Sequence, residues 1–217
     1  GYGHGALNCA RALPQADGFC VACVDEAMEL RQGGIQQPIV VLQGAYDASE
    51  WELASQDHIQ LALHHEHQLQ DRAQANLTNP VGIWLKINSG MNRLGFRIHE
   101  ADSILAQIEA DPFLKLGCIA SHFATADDLN TDAFAQQLEY LTSRQWPVPF
   151  CLSNSAGLLS ERSVAGKHIP DFISRPGIML YGSSPLNYQS ASELNLKAVM
   201  TLESHLISTH DMSVGER

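Results

Sequence analysis

Short apolar runs alternate along the chain with longer stretches in which apolar positions recur every three or four residues. The runs at 18–24, 39–42, 59–62, 81–87, 116–121, 150–152 and 172–174 have strand length and hold mostly Val, Ile, Leu, Phe and Cys. The stretches between them, 7–13, 25–32, 48–55, 65–75, 101–110, 131–144 and 155–160, have helical spacing; in one, Ile104, Leu105 and Ile108 make a stripe suited to packing on a sheet. Strand and helix in strict alternation predict a parallel sheet covered by helices. Polar clusters follow several of the strands, and no dominant phosphate loop stands early in the chain. Closure into a barrel is therefore expected rather than a doubly wound sheet. The fold class expected is α/β, a (β/α)8 TIM-type barrel. After about residue 185 the texture changes: 186–190 reads as loop, and 198–209 is a long strand-like run with no helix after it. The expected domains are a barrel over 1–195 and the beginning of a C-terminal β domain over 196–217.

Composition narrows the partners. The chain has 217 residues, 45% hydrophobic, with 24 acidic against 13 Lys and Arg side chains, a net charge of −11. No basic face is available for a nucleic-acid backbone or an anionic membrane surface, and no apolar run reaches the roughly 18 residues a membrane helix needs. The expectation is a folded protein acting on small molecules. Five cysteines (Cys9, Cys20, Cys23, Cys118 and Cys151) leave at least one unpaired, and reduced thiols suit the cytoplasm. Cys20 and Cys23 have the spacing of a redox or zinc motif. No second pair completes a metal site, so they read as small residues of a buried strand, and no metal is expected. Both ends look cut: the chain opens at Gly1 without a methionine and stops soon after a strand-like segment.

Several clusters carry chemistry. Tyr2-Gly3-His4-Gly5 precedes a helix, with glycines that let backbone approach a ligand and a phenol suited to an anion. In the run 83–95, alternation puts Trp84, Lys86 and Asn88 on one face and Ile83, Leu85 and Ile87 on the other. Lys86 thus interrupts a buried stretch and is either structural and paired, a Schiff-base nucleophile, or chemically modified. Arg93 follows in a Gly/Asn loop, either as a surface residue or as a clamp for a carboxylate or phenolate. His122 closes another strand, as a core histidine or a site residue. Asn154 and Ser155 open a helix whose free N–H groups suit an anion. Arg175 and Gly177 combine a strand-end guanidinium with backbone able to approach a phosphate. The cluster His64 to His67 looks metal-like, but it begins a polar helix and reads as solvated helix surface.

Taken together, Tyr2 to Gly5, Leu85 to Gly95 (Leu-Lys-Ile-Asn-Ser-Gly-Met-Asn-Arg-Leu-Gly), Ser121 to Asp127 (Ser-His-Phe-Ala-Thr-Ala-Asp), Asn154-Ser155 and Arg175 to Ile178 (Arg-Pro-Gly-Ile) resemble bacterial alanine racemases in order and spacing, over essentially the whole chain. The resemblance implies a pyridoxal-phosphate (PLP) enzyme with a βα barrel and a following β domain, a homodimer with shared active sites. Such an enzyme would interconvert L- and D-alanine by two bases and supply D-alanine for peptidoglycan. By the same resemblance Tyr2, Ser155, Gly177 and Ile178 hold the cofactor phosphate, with Leu42 and Asn154 also in its pocket. Arg175 faces the pyridine nitrogen, with His122 beside the ring. Arg93 binds the phenolic oxygen and the substrate carboxylate, and Lys86 matches a lysine often carbamylated. Asn88 and Ser89 stand where many members have Asp and Thr.

The resemblance also places the Schiff-base lysine just before Gly1 and the opposing tyrosine beyond Arg217. None of Lys86, Lys115, Lys167 and Lys197 matches the missing base, and the first barrel strand is missing too. The chain by itself is accordingly expected to be inactive. Rival readings are a PLP decarboxylase on the same barrel, disfavoured because that pattern has an acidic residue where Arg175 stands, a Schiff-base aldolase using Lys86, and a non-catalytic PLP-binding barrel.

Overall fold

The computed structural model describes residues 1–160 and 172–216. Seven strands, β1 (Phe19–Val21), β2 (Ile39–Val41), β3 (Ile59–Leu63), β4 (Val81–Lys86), β5 (Leu114–Ala120), β6 (Phe150–Cys151) and β7 (Phe172–Ile173), pair in sequence order, and every pairing is parallel. The helices α1 (Ala6–Ala12), α2 (Val24–Gln32), α3 (Ala48–Gln56), α4 (His67–Gln74), α5 (Ala101–Ala110), α6 (Ala133–Thr142) and α7 (Ser155–Leu159) fall between or beside them. A doubly wound sheet reverses its strand order at a switch point; this one never does, which is the winding of a βα barrel. It is an incomplete barrel, with β1 and β7 unpaired on their outer edges among the described residues.

Each strand faces two ways. Ile39, Val41, Ile59, Leu61, Ile83, Leu85 and Ile119 are almost wholly buried in one large cluster with helix residues such as Leu30, Trp51, Ile104, Ile108 and Phe134. The other face carries Val40, Trp84, Cys118, Ala120 and Cys151, a separate buried cluster inside the curl of the sheet. β5 joins the inner cluster through an irregularity: Ile83 pairs with Leu116 but Trp84 with Cys118, so Gly117 is an extra residue. Leu114 and Leu116 therefore pack with the helix-side cluster, while Cys118 and Ala120, of the same parity, turn inward.

Local capping agrees with the sequence. The Asp47 carboxylate accepts from Glu50 N–H at 3.0 Å to start α3, and Asn154 Oδ1 accepts from Gly157 N–H at 2.9 Å to start α7. The two ends of the sheet approach each other through loops: the Tyr2 ring packs edge-on against Tyr181 at 4.8 Å, and the His4 ring stacks on it at 5.0 Å. The segment before β1 thus meets the segment after β7, as a closing barrel requires.

The 198–209 run, expected from its pattern to be a strand, forms none. A strand needs a neighbouring backbone to take its N–H and C=O groups. Here one bond ties Val199 N–H to the Tyr181 carbonyl, and Leu202, Leu206 and Ile207 stand 99%, 87% and 101% exposed. No helix of the described residues is long and apolar enough to cross a membrane.

Candidate functional site

All the polar groups singled out from the sequence lie at or beyond the C-terminal ends of strands, except those of the opening loop, which reaches the same rim. Lys86 ends β4, and the chain then makes a tight loop that returns so that Phe96 N–H bonds the Lys86 carbonyl at 2.9 Å and Asn88 N–H the Phe96 carbonyl at 2.8 Å. Asn88 Oδ1 holds the loop from inside, accepting from Gly90 N–H at 3.1 Å and Asn92 N–H at 3.0 Å. Gly95 is needed there: its φ is 119°, and a Cβ would stand 2.7 Å from Asn88 N. The loop leaves Arg93 exposed above a small cleft that Lys86, Ser89, Ser121 and His122 also line.

Arg175 crosses behind this cleft. Its Nη1 donates to the Cys151 carbonyl at 2.8 Å and its Nη2 to the Ser121 carbonyl at 2.7 Å, tying the segment after β7 to the ends of β6 and β5. Nη2 also lies 3.4 Å from His122 Nδ1, while Asn154 Nδ2 reaches His122 Nε2 at 3.1 Å and the Phe123 carbonyl at 3.3 Å. Donors thus face both ring nitrogens of His122. Burial, then Arg175, Lys86 and Arg93, push its pKa down to about 4, so the ring is neutral at physiological pH. Burial first, then Arg175 and Arg93, likewise bring Lys86 down to about 8. No carboxylate is among the groups acting on either residue. Two guanidinium groups, an amine and an amide converge with nothing negative supplied by an acidic side chain, the donor set of an anion site.

A second cradle adjoins the first. Ser155 Oγ accepts from Gly177 N–H at 2.9 Å and from Met179 N–H at 3.3 Å, fixing the turn that begins at Ile178. A Cβ on Gly177 would stand 3.2 Å from the Tyr2 hydroxyl, so glycine keeps the space between them open. Hydroxyls and a Cβ-free backbone at one rim suit a phosphate. The structure therefore brings Lys86, Arg93, His122, Asn154 and Arg175 together, and beside them Tyr2, Ser155, Gly177 and Ile178. Leu42, half-buried, comes to the same end of the sheet just after β2, its N–H bonded to the Val21 carbonyl. Lys167 lies outside the described residues.

Three features were not legible in the sequence. Gln137 of α6 is 3% exposed, and its amide donates to the His122 carbonyl at 2.9 Å and to Ser89 Oγ at 3.0 Å while accepting from Ala124 N–H at 3.0 Å. Ser89 Oγ in turn meets Ser121 Oγ at 2.8 Å, which donates to the Ile87 carbonyl. This chain fixes the loops bearing Arg93 and His122 to each other, yet a glutamine in mid-helix gives no sign of it. The second is Cys151, whose sequence context indicates only a small buried residue and which touches Arg175. The third corrects the reading of His64 as helix surface: α4 starts at His67, and His64 instead follows β3, half-buried, with Nε2 2.8 Å from the Gln43 carbonyl and close enough to Lys86 to feel its charge. The polar pattern of 64–67 hid the strand end because β3 runs one residue beyond its expected limit, to Leu63.

Known proteins match this geometry. The family model of the alanine racemase N-terminal domain covers residues 1–185. Alanine racemases from Azoarcus and from Vibrio vulnificus are 41% and 39% identical over 99% and 100% of the chain, and the catabolic alanine racemase of Pseudomonas putida is 38% identical over 99%. A crystal structure of the biosynthetic alanine racemase from Pseudomonas aeruginosa, 39% identical, superposes with a TM-score of 0.81 over 91% of this chain and 55% of its own. The chain spans about 60% of the length of the curated relatives it matches. With the family model matched over most of its length, on a sheet wound as theirs is, the chain belongs to the alanine racemase family.

Proposed function

We propose that the protein interconverts L- and D-alanine with PLP as cofactor, and that these 217 residues bind and orient cofactor and substrate. The observation that carries this is the convergence of Arg93 and Lys86 on one cleft, with Arg175 behind it and the Tyr2, Ser155 and Gly177 cradle beside it, without a carboxylate acting on Lys86 or His122. Bound there, the cofactor supplies an electron sink for charge developing at the α-carbon of an amino acid. Tyr2, Ser155 and the backbone at Gly177 and Ile178 would hold its phosphate, with Leu42 and Asn154 closing the pocket. Arg175 would face the ring nitrogen. A guanidinium is effectively always protonated and has no acceptor to offer, so it donates there and keeps that nitrogen unprotonated. By keeping a proton off that nitrogen, Arg175 would favour reprotonation over side reactions. His122, neutral because it is buried beside cations, adds no competing charge.

Arg93 holds the substrate carboxylate. Lys86 orients it as a carbamate: the pKa of about 8 leaves a useful fraction of free amine, whose nitrogen attacks carbon dioxide and releases one proton, leaving an anion for Arg93. A proton leaves one face of the α-carbon and another arrives on the opposite face, which requires two bases, a lysine and a tyrosine outside these residues. The full reading includes a homodimer with shared sites in the cytoplasm, D-alanine delivered to peptidoglycan, and a β domain into which 196–217 leads.

Titrating PLP into the full chain tests this. Saturable binding, weakened about tenfold or more by Ser155→Ala and by Arg175→Ala, is expected; pyridoxal without its phosphate should bind far more weakly. The 217 residues alone should form no D-alanine from L-alanine, whereas a protein that includes both bases should. Equal affinity for PLP and pyridoxal would overturn the reading.

A further inference from the structure

Arg175 carries a permanent charge into the barrel interior, yet its oxygen partners are neutral backbone carbonyls. Besides the 3.4 Å approach of Nη2 to His122 Nδ1, its further contact is with sulfur: Nη1 touches Cys151 Sγ. Cys151 is fully buried, and so is Cys118 on the neighbouring strand β5, both on the inner face of the sheet. The Cys118 thiol lies in the same buried cluster, near enough to the Cys151 sulfur to act as its donor. A neutral thiol is a weak acceptor, whereas a thiolate is a full charge that a guanidinium and a thiol donor can both satisfy.

We propose that Cys151 forms a buried thiolate–guanidinium pair with Arg175, with Cys118 as its thiol donor, and so acts as the positioning residue that sets the charge and direction of the ring-facing arginine. The groups facing Cys151 are Cys118 from β5, Arg175 from the segment after β7 and Lys86 from β4; Cys20 of β1 is also close enough to interact with Cys118 and Cys151. Their balance favours charge on this sulfur. The bond from Cys118 and the nearby cations outweigh burial and bring Cys151 down to about 7. Burial holds Cys118 far above the ordinary thiol range, leaving it protonated as the donor. The proton balance is simple: Cys151 releases its proton to solvent near neutrality, and no electrons move. The pair itself is independent of the functional reading above; its positioning role rests on it.

An ultraviolet thiolate titration of the cofactor-free full chain tests the pair. The wild type should show one thiolate step with a midpoint of about 7. Cys151→Ser should lack it. Cys118→Val and Arg175→Gln, each missing one stabilising partner, should move it up by roughly one unit or more. Because Cys118→Val leaves Cys151 in place, it decides the matter even if Cys151→Ser folds poorly. A step that survives in Cys151→Ser, or one unmoved in Cys118→Val, overturns the pair. With PLP added, the pH profile of its visible band should show an inflection near neutrality in wild type that Cys151→Ser loses; an inflection kept in that variant overturns the positioning role. A normal thiolate step in a chain that binds no PLP leaves the pair standing and removes its assigned role, so the two failures are separable.

Discussion

The two faces of the same sheet follow opposite rules. Toward the helices, Ile59, Leu61, Ile83, Leu85 and Ile119 are almost entirely buried against apolar side chains, and any hydrophobic residue of similar volume would serve. Toward the barrel interior the same strands offer Cys20, Val40, Gln60, Trp84, Lys86, Cys118 and Cys151, and polar atoms are satisfied one by one, as where Trp84 Nε1 donates to Gln60 Oε1 at 2.7 Å. Burial of area stabilises the first face. Specific hydrogen bonds and displaced pKa values mark the second, where the candidate site lies. Stability and function are thus separated by about the thickness of one sheet.

Mutations should divide along that line. The largest effect is expected on the helix side: Leu85→Ala should cost about 2–5 kcal/mol in urea unfolding, because a fully buried side chain leaves a cavity. Ser155→Ala at the rim should cost about 1–3 kcal/mol, since Gly177 and Met179 N–H lose their acceptor. His122 binds its proton less readily folded than unfolded, so stability is complete above 6.5 and falls as pH drops from 6.5 toward about 4. Thermal unfolding of His122→Gln should lack that component, on the order of 1–2 kcal/mol. Lys86→Met should reverse the usual sign, stabilising the chain near neutral pH by roughly 1–2 kcal/mol by removing a half-buried ammonium beside two guanidinium groups. Added bicarbonate should stabilise wild type and leave that variant unchanged. Arg93→Ala, on an exposed loop, should change stability by less than about 0.5 kcal/mol while abolishing carboxylate binding. A large stability loss there would blur the division between faces.

The seven strands and seven helices of the described residues were legible because the strands are mostly apolar runs and most helices carry apolar positions at helical spacing, patterns set by local geometry. Candidate site residues stood out where they broke that pattern: Lys86 interrupting β4, or Arg93 and Arg175 among glycines at strand ends. Gln137 and His64 broke nothing, and their roles come from partners 13 to 48 residues away in the case of Gln137 and 21 in that of His64. The 198–209 run shows the reverse failure. Its alternation is strand-like, but a strand exists only with a neighbour to bond.

What this sequence determined by itself is the succession of elements and which residues could not lie buried without a partner, because periodicity and desolvation act on each segment alone. Only the tertiary structure decided which of them meet. The extra Gly117 in β5 turns Cys118 inward toward Cys151, and the guanidinium of Arg175, arriving from a strand end, meets the sulfur there. Such a meeting depends on sheet register and curl, which no local pattern encodes.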